Sequence, residues 1–329
     1  MAVNGSARPS SAAARLVGQR LISFLRRNVV YVAFVLILAF FAVALRDQGF
    51  LTPNNLLNVV RQTTPITIMA VGLTFTLAAG EIDLSIGSVV ALAALVAAIL
   101  VRDVDLIVGV AGGLGVGLLV GSINGLLTVK LRIPSFLVTL GMLGIAAGLA
   151  RTITNLQAVP VRDETFTTIF GSGSVGPVSS LVIWSTAAVV VGHVVLRNLR
   201  FGRHVLATGG DRLAAAYVGI RTDRVRIAVL IISSITAALA GLLYAGRLQG
   251  ARYTLGELDL LTVIAAVVIG GTSLFGGRGS VIGAAFGSLI MGMLNNGLIL
   301  MGLDVSGQMV ARGMIIILAV ALMREPAAR

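Results

Sequence analysis

The chain has 329 residues, of which 57% are hydrophobic and only 12% charged, with a mean hydropathy of +1.00. Water-soluble domains carry about a quarter charged residues, so a chain built to face water over most of its surface is excluded. The formal charge of +12 does not mark a nucleic-acid binder, because the basic residues sit between apolar runs and at the N-terminus rather than in one water-exposed patch. With no cysteine there is no disulfide or thiolate chemistry, and His193 and His204 form no metal-ligand spacing with a partner.

Residues 1–28 are small, polar and basic without an acidic residue, and read as a cytoplasmic tail. The apolar run Val29–Leu45 follows. No small-residue cleavage pattern succeeds it and many more spans do, so it reads as a retained first helix. Further apolar stretches cover approximately 55–79, 84–101, 106–127, 133–150, 179–196, 227–246, 258–275, 281–302 and 308–323. Each has about 16–25 residues, near the roughly 20 that cross a hydrocarbon core. The pattern predicts an all-α polytopic membrane protein of about ten transmembrane helices, with a transmembrane domain over 29–323 and a short cytoplasmic tail at 324–329. Arg61 and Pro65 predict that the second span is bent or broken.

Charge alternation orients these spans. With a cytoplasmic N-terminus, 17 basic residues fall on inside segments and six outside: Arg46, Arg102, Arg151, Arg162, Arg247 and Arg252. Arg61 and Arg312 fall within spans. Such a split predicts an N-in, C-in topology. Two connections are long. Residues 151–178, outside, are rich in Thr, Gly, Ser and Pro and read as an irregular surface loop. Residues 197–226, inside, carry seven arginines against Asp211 and Asp223, which suits either a docking segment for a soluble partner or a solvated loop that fixes topology.

Three segments carry polar chemistry. In Ala79–Ser88, two carboxylates and two hydroxyls interrupt what would otherwise be one very long apolar run. Charges at membrane depth cost at least about 2.5–3.5 kcal/mol each, so they face a partner or a cavity. Asp83 or Ser85 would equally serve as a cap for the next helix. In Ile269–Val281 a second run breaks at glycines and resumes at Gly279-Ser280-Val281, matching Gly87-Ser88-Val89 at an offset of 192 residues. Paired glycine-interrupted segments in two halves point to a transport site, and both breaks are expected near the membrane centre. The Walker Lys-Ser/Thr ending is absent from the second, which argues against nucleotide binding there. The pathway or gate candidates are therefore Glu81, Asp83, Ser85, Ser88, Thr272 and Ser273. The third segment, Arg200–Ile220, has a double glycine, Asp211 as an N-cap, an alanine-rich turn and a stop at Gly219, and predicts one short helix. No Ser-His-Asp ordering, cysteine nucleophile or metal motif is present, so no catalytic residue is expected.

Along roughly 30–325 the sequence resembles the permeases of bacterial ABC importers of the ribose and xylose type. Gly80–Ser88 is similar to the Gly-Ile-Asp-Leu-Ser-Val-Gly-Ser stretch of that family. Leu126–Gly141 is similar to its Lys-x-x-Ile-Pro-Ser-Phe-x-x-Thr-Leu-Gly segment, and Gly270–Ser280 to its Gly-Gly-x-Ser-x-x-Gly-Gly-x-Gly. Two departures stand out: Glu81 replaces a common glycine, and Asp211-Arg212-Leu213 replaces a common Asn-x-x run. The resemblance implies a sugar pathway driven from outside the chain. A binding protein delivers a monosaccharide to two permease subunits in the bacterial inner membrane, and cytoplasmic ATPase subunits hydrolyse ATP with magnesium, so this chain itself holds no cofactor. Gly202, Arg203, Gly209, Gly210, Asp211, Ala214, Ala215 and Gly219 would meet the ATPase, and Asp83 and Ser85 would line a cavity or gate. The competing readings are an ABC permease for branched-chain amino acids or nucleosides, an ion-coupled secondary transporter using Glu81 and Asp83, and a non-transporting membrane scaffold.

Overall fold

The computed structural model describes residues 28–322; the two expected tails lie outside them but for Asn28. The helices are α1 (Val29–Ala44), α2 (Pro53–Ala78), α3 (Ile86–Asp103), α4 (Leu106–Lys130), α5 (Ser135–Thr152), α6 (Glu164–Thr167), α7 (Ser180–Arg197), α8 (Arg200–Gly210), α9 (Arg212–Tyr217), α10 (Thr222–Leu248), α11 (Asp259–Ile269), α12 (Val281–Leu300) and α13 (Val305–Leu322). Six of them, α3, α4, α5, α7, α10 and α12, are long and apolar enough to cross a membrane, and α1 and α11 are shorter apolar helices. The protein is an all-α multi-pass membrane protein.

Local signals explain where helices start. Thr52 accepts from the Asn55 amide ahead of Pro53, Asp105 from Val108 at 2.8 Å, and Ser280 from Gly283 at 3.0 Å. The second span is not broken: α2 runs unbroken for 26 residues with Pro65 inside. Hydroxyls of Thr63, Thr64 and Thr67 bond back to carbonyls three or four residues earlier, the local hydrogen bonding that lets a membrane helix carry a proline.

Helix α10 is the central post, packed against α2, α3 and α4. Its seam with α4 is glycine-lined. A Cβ on Gly117 would stand 2.6 Å from the Ser234 carbonyl oxygen, and one on Gly121 would stand 2.6 Å from the Ile231 Cα. With lipid tails as apolar as leucine, close backbone approach and dispersion hold such a pair together, which is what the 40 glycines of the chain serve here.

One expectation needs correction. The eighth span, placed over 258–275, is the 11-residue α11, ending at Ile269. At about 1.5 Å per residue it covers roughly 16 Å, half a hydrocarbon core. It runs antiparallel to the first half of α12, with Gly270 against Gly283 and Ala266 against Gly287. Its N-terminal end therefore stands level with the middle of α12, and the chain reaches it through the loop 249–258. That loop descends until the Gly256 carbonyl meets Gly87 at the start of α3, where a Cβ on either glycine would clash with backbone of the other. The chain is thus irregular where it enters α11. The breaks at 79–85 and 270–280 come together against α8: the Gly277 amide donates to the Ala78 carbonyl, and Gly276 and Gly277 pack on Gly209 and Gly210.

The outside loop, expected to be irregular, is partly ordered. Strand β1 (Val159–Pro160) pairs antiparallel with β4 (Gly250–Ala251), Val159 opposite Ala251. Strands β2 (Ser174–Val175) and β3 (Val178–Ser179) form a hairpin, preceded by a π-helical turn at Thr168–Ser172. Phe166, Phe170 and Trp184 stack in series, and the Trp184 indole donates to the Ile169 carbonyl at 3.0 Å.

Candidate translocation pathway

Of the residues named from the sequence, Glu81, Asp83 and Ser85 lie in a strap between α2 and α3, Ser88 in the first turn of α3, and Thr272 and Ser273 in the turn between α11 and α12. Past α2 the chain turns at Gly80 and runs extended through Glu81–Leu84, which frees backbone groups that must be paired. Side chains of α5 pair them: Ser135 Oγ accepts from the Ile82 amide at 3.0 Å, and Thr139 Oγ1 accepts from Leu84 at 3.0 Å and donates to the Ile82 carbonyl. Asp83 is fully buried, and its Oδ1 accepts from both the amide (2.9 Å) and the hydroxyl (2.6 Å) of Ser85. Asn124 of α4 donates to the Ser85 hydroxyl at 3.0 Å. Glu81 is bonded to Arg226 of α10, with both side chains below 10% exposure. Ser88 and Thr272 are buried; Thr272 Oγ1 accepts from Ser280, and Ser273 Oγ from Phe275. None of these six residues lines either of the cavities described below.

The two breaks and the 197–226 segment meet at one junction. The Gly277 amide donates to the Ala78 carbonyl at 3.0 Å. Gly209 of α8 wedges into the same place: a Cβ there would lie 2.0 Å from that carbonyl oxygen and 2.7 Å from the Gly277 nitrogen, while one on Gly276 would lie 2.4 Å from the Gly209 oxygen. Only glycine permits this three-way approach of backbones. Beyond it, Asp211 Oδ1 caps α9 by accepting from Leu213 and Ala214, as its sequence position indicated, and Gly219 closes the helix at φ +88°. The longer α8 before it was not anticipated. Of the proposed coupling residues, Gly202 and Ala215 are buried, Gly209 is half-buried, and Arg203, Gly210, Asp211, Ala214 and Gly219 are exposed.

The open space lies elsewhere. One cavity of about 160 Å³ is lined by Gln62 and Thr63 of α2, Tyr244 and Arg247 of α10, Asp259 and Thr262 of α11, Asn295 of α12 and Arg312 of α13, among others. A second, of about 300 Å³, shares Gln62 and Arg247, adds Asn58 and Arg61, and is roofed by Gly171–Ser174 and Ser179 of the segment before α7. Tyr244 donates to Asp259 at 2.6 Å, and Arg312 donates to Asn295. Nε of Arg61 and of Arg312 is buried without a hydrogen-bond partner. The unwound entry to α11 places Asp259 level with the middle of α12, and the roof is held where Gly171 rests on the Gly246 backbone. The result is a polar, hydrogen-bonding chamber inside an apolar bundle, suited to a small polar solute. Sequence reasoning missed it. Arg247 was assigned to an outside loop but occupies the last turn of α10. Arg61 and Arg312 were seen as charges within spans, and that signal alone would have nominated them.

Residues 55–320 match a family described as the branched-chain amino acid transport system / permease component. The chain belongs to this permease family. The ribose import permease protein RbsC of Escherichia coli (strain K12) is 37% identical over 278 residues, covering 83% of this chain and 87% of the relative. RbsC of Bacillus subtilis (strain 168) is 37% identical over 288 residues, covering 87% and 89%. The L-arabinose ABC transporter permease protein AraH of Azospirillum brasilense is 37% identical over 301 residues, covering 90% and 86%. No solved structure matches the chain. As a member of this family the permease is a transport subunit, and its polar chamber is the feature to be explained.

Proposed function

We propose that this chain is the membrane-spanning subunit of a binding-protein-dependent ABC importer in the bacterial inner membrane, forming the pathway for a monosaccharide of the ribose, xylose or arabinose kind. Helices α1–α5, α7 and α10–α13 make ten crossings with both termini cytoplasmic, in keeping with the 17-to-6 split of basic residues. The observation that carries the reading is the pair of adjoining polar cavities at the broken entry to α11, in a chain related to ribose and arabinose permeases. Arginine, carboxylate, amide and phenol groups offer a polyol hydrogen-bond partners, beside the apolar surfaces of Ile66, Met291 and Leu181. A partner ATPase hydrolyses ATP with magnesium, a binding protein presents the sugar outside, and a second permease subunit completes the pathway. The strap at Glu81–Ser85 closes the cytoplasmic side, and the segment from Gly202 to Gly219 meets the ATPase.

Uptake of labelled pentose into vesicles carrying the complete importer tests this. It should survive collapse of the proton and sodium gradients and stop when ATP is withdrawn. Uptake that follows the ion gradients and ignores ATP would establish a secondary transporter instead.

A further inference from the structure

Phe275 sits at the tip of the turn between α11 and α12 and is 93% exposed. The turn is not loose: Ser273 bonds back to the Arg278 carbonyl at 3.0 Å through its amide and to the Phe275 amide at 3.2 Å through its hydroxyl. The two residues that follow, Gly276 and Gly277, are the ones that pack on Gly209 and Gly210 of α8. The tip is thereby fixed beside the α8–α9 elbow, where Leu213, Tyr217 and Val218 are also left in the open, at 72%, 90% and 77% exposure. The segment that carries this elbow exposes Arg197, Arg200, Arg203, Arg212, Arg221 and Arg224 against Asp211 and Asp223, a net positive surface. A held aromatic side chain beside an apolar group on a net positive segment fits an apolar cleft with an acidic rim on a soluble protein.

We propose that Phe275 is a second anchor for the ATPase subunit, next to the one formed by α9. This rests on the importer reading and adds to it. The two anchors act on different elements. Helix α9 moves α8 and, through Gly209, the first break. Phe275 moves the 270–280 turn and with it α11, whose far end carries Asp259 into the cavity. Two handles on one docking surface let closure of the ATPase pair shift the strap and the chamber together.

The test uses full-length permease titrated with the ATPase subunit that co-purifies with it. Phe275→Ala should weaken binding about 10–30-fold, the loss typical of an aromatic anchor, with the permease melting midpoint unchanged because the ring packs on nothing. Phe275→Leu should restore most of the affinity. Tyr217→Asp, in α9, serves as the reference. If Tyr217→Asp abolishes binding while Phe275→Ala binds as the native chain does, the second anchor is overturned and the importer reading stands. If neither variant affects binding, both fall. A photo-crosslinking residue at 275 should attach to the ATPase, and attachment only to lipid or to a second copy of this chain overturns the proposal.

Discussion

Replacing Glu81 with glutamine leaves the Arg226 guanidinium in a site where neither side chain exceeds 10% exposure. The pair lies between the strap after α2 and the first turns of α10, and neither residue lines the two cavities described above. Breaking a buried pair by removing one partner costs about 3–5 kcal/mol, because the remaining charge is left uncompensated. At about 2–4 °C per kcal/mol for chains somewhat smaller than this one, the apparent melting midpoint in detergent should fall on the order of 5–10 °C. Arg226→Met should fall similarly. The double variant Glu81→Gln with Arg226→Met should recover most of the loss, since it removes the unpaired charge together with the pair. Following the midpoint by size-exclusion of heated samples reads all three. Single variants as stable as the native chain, or a double variant whose loss is the sum of the two, would refute the inference that the pair locks the strap.

Further outcomes follow from the same geometry. Gly209→Ala places a Cβ 2.0 Å from the Ala78 carbonyl, so assembly of the junction should fail, seen as low yield of monodisperse protein; Gly219→Ala, with nothing within 4 Å, should cost only the backbone strain of its φ of +88°, about 1 kcal/mol. Asp83→Ala removes the acceptor for two Ser85 bonds in a fully buried site, and should lower stability by about 1–3 kcal/mol, measured by denaturant or thermal midpoint. Asp259→Asn keeps the shape of the chamber but removes the charge facing Tyr244 and Arg247, and should lower uptake roughly ten-fold or more while expression and midpoint change little.

The helices were legible because their signal is repeated over many residues: every apolar stretch named from the sequence contains a helix. The cap at Asp211 was legible because it is local, set by residues two and three positions on. The role of Asp83 remained open between cavity and cap, since the sequence does not say whether open space lies beside it. Its bonds to Ser85 and the strap around it belong to the packing of α4, α5 and α10. Glu81 appeared as a gate candidate and as one of two departures from a family pattern; its partner Arg226 stands 145 residues away and had been counted as a topology-setting charge. The chamber was illegible for the same reason. Arg61, Arg247, Asp259 and Arg312 come from four helices, and only the start of α11, level with the middle of α12, brings them together. An 11-residue helix inside an 18-residue apolar run shows no hydropathy break at that point.

The native chain contains no cysteine, so single cysteines report accessibility without a background. Gln62, which lines both cavities, is the position to replace. With Gln62→Cys in the assembled importer, a membrane-impermeant thiol reagent added from outside should modify the residue and block ATP-driven sugar uptake, and the sugar-loaded binding protein should slow the modification. A cysteine that stays unmodified during turnover, or is fully modified while uptake continues at the native rate, would contradict the placement of the pathway in this chamber.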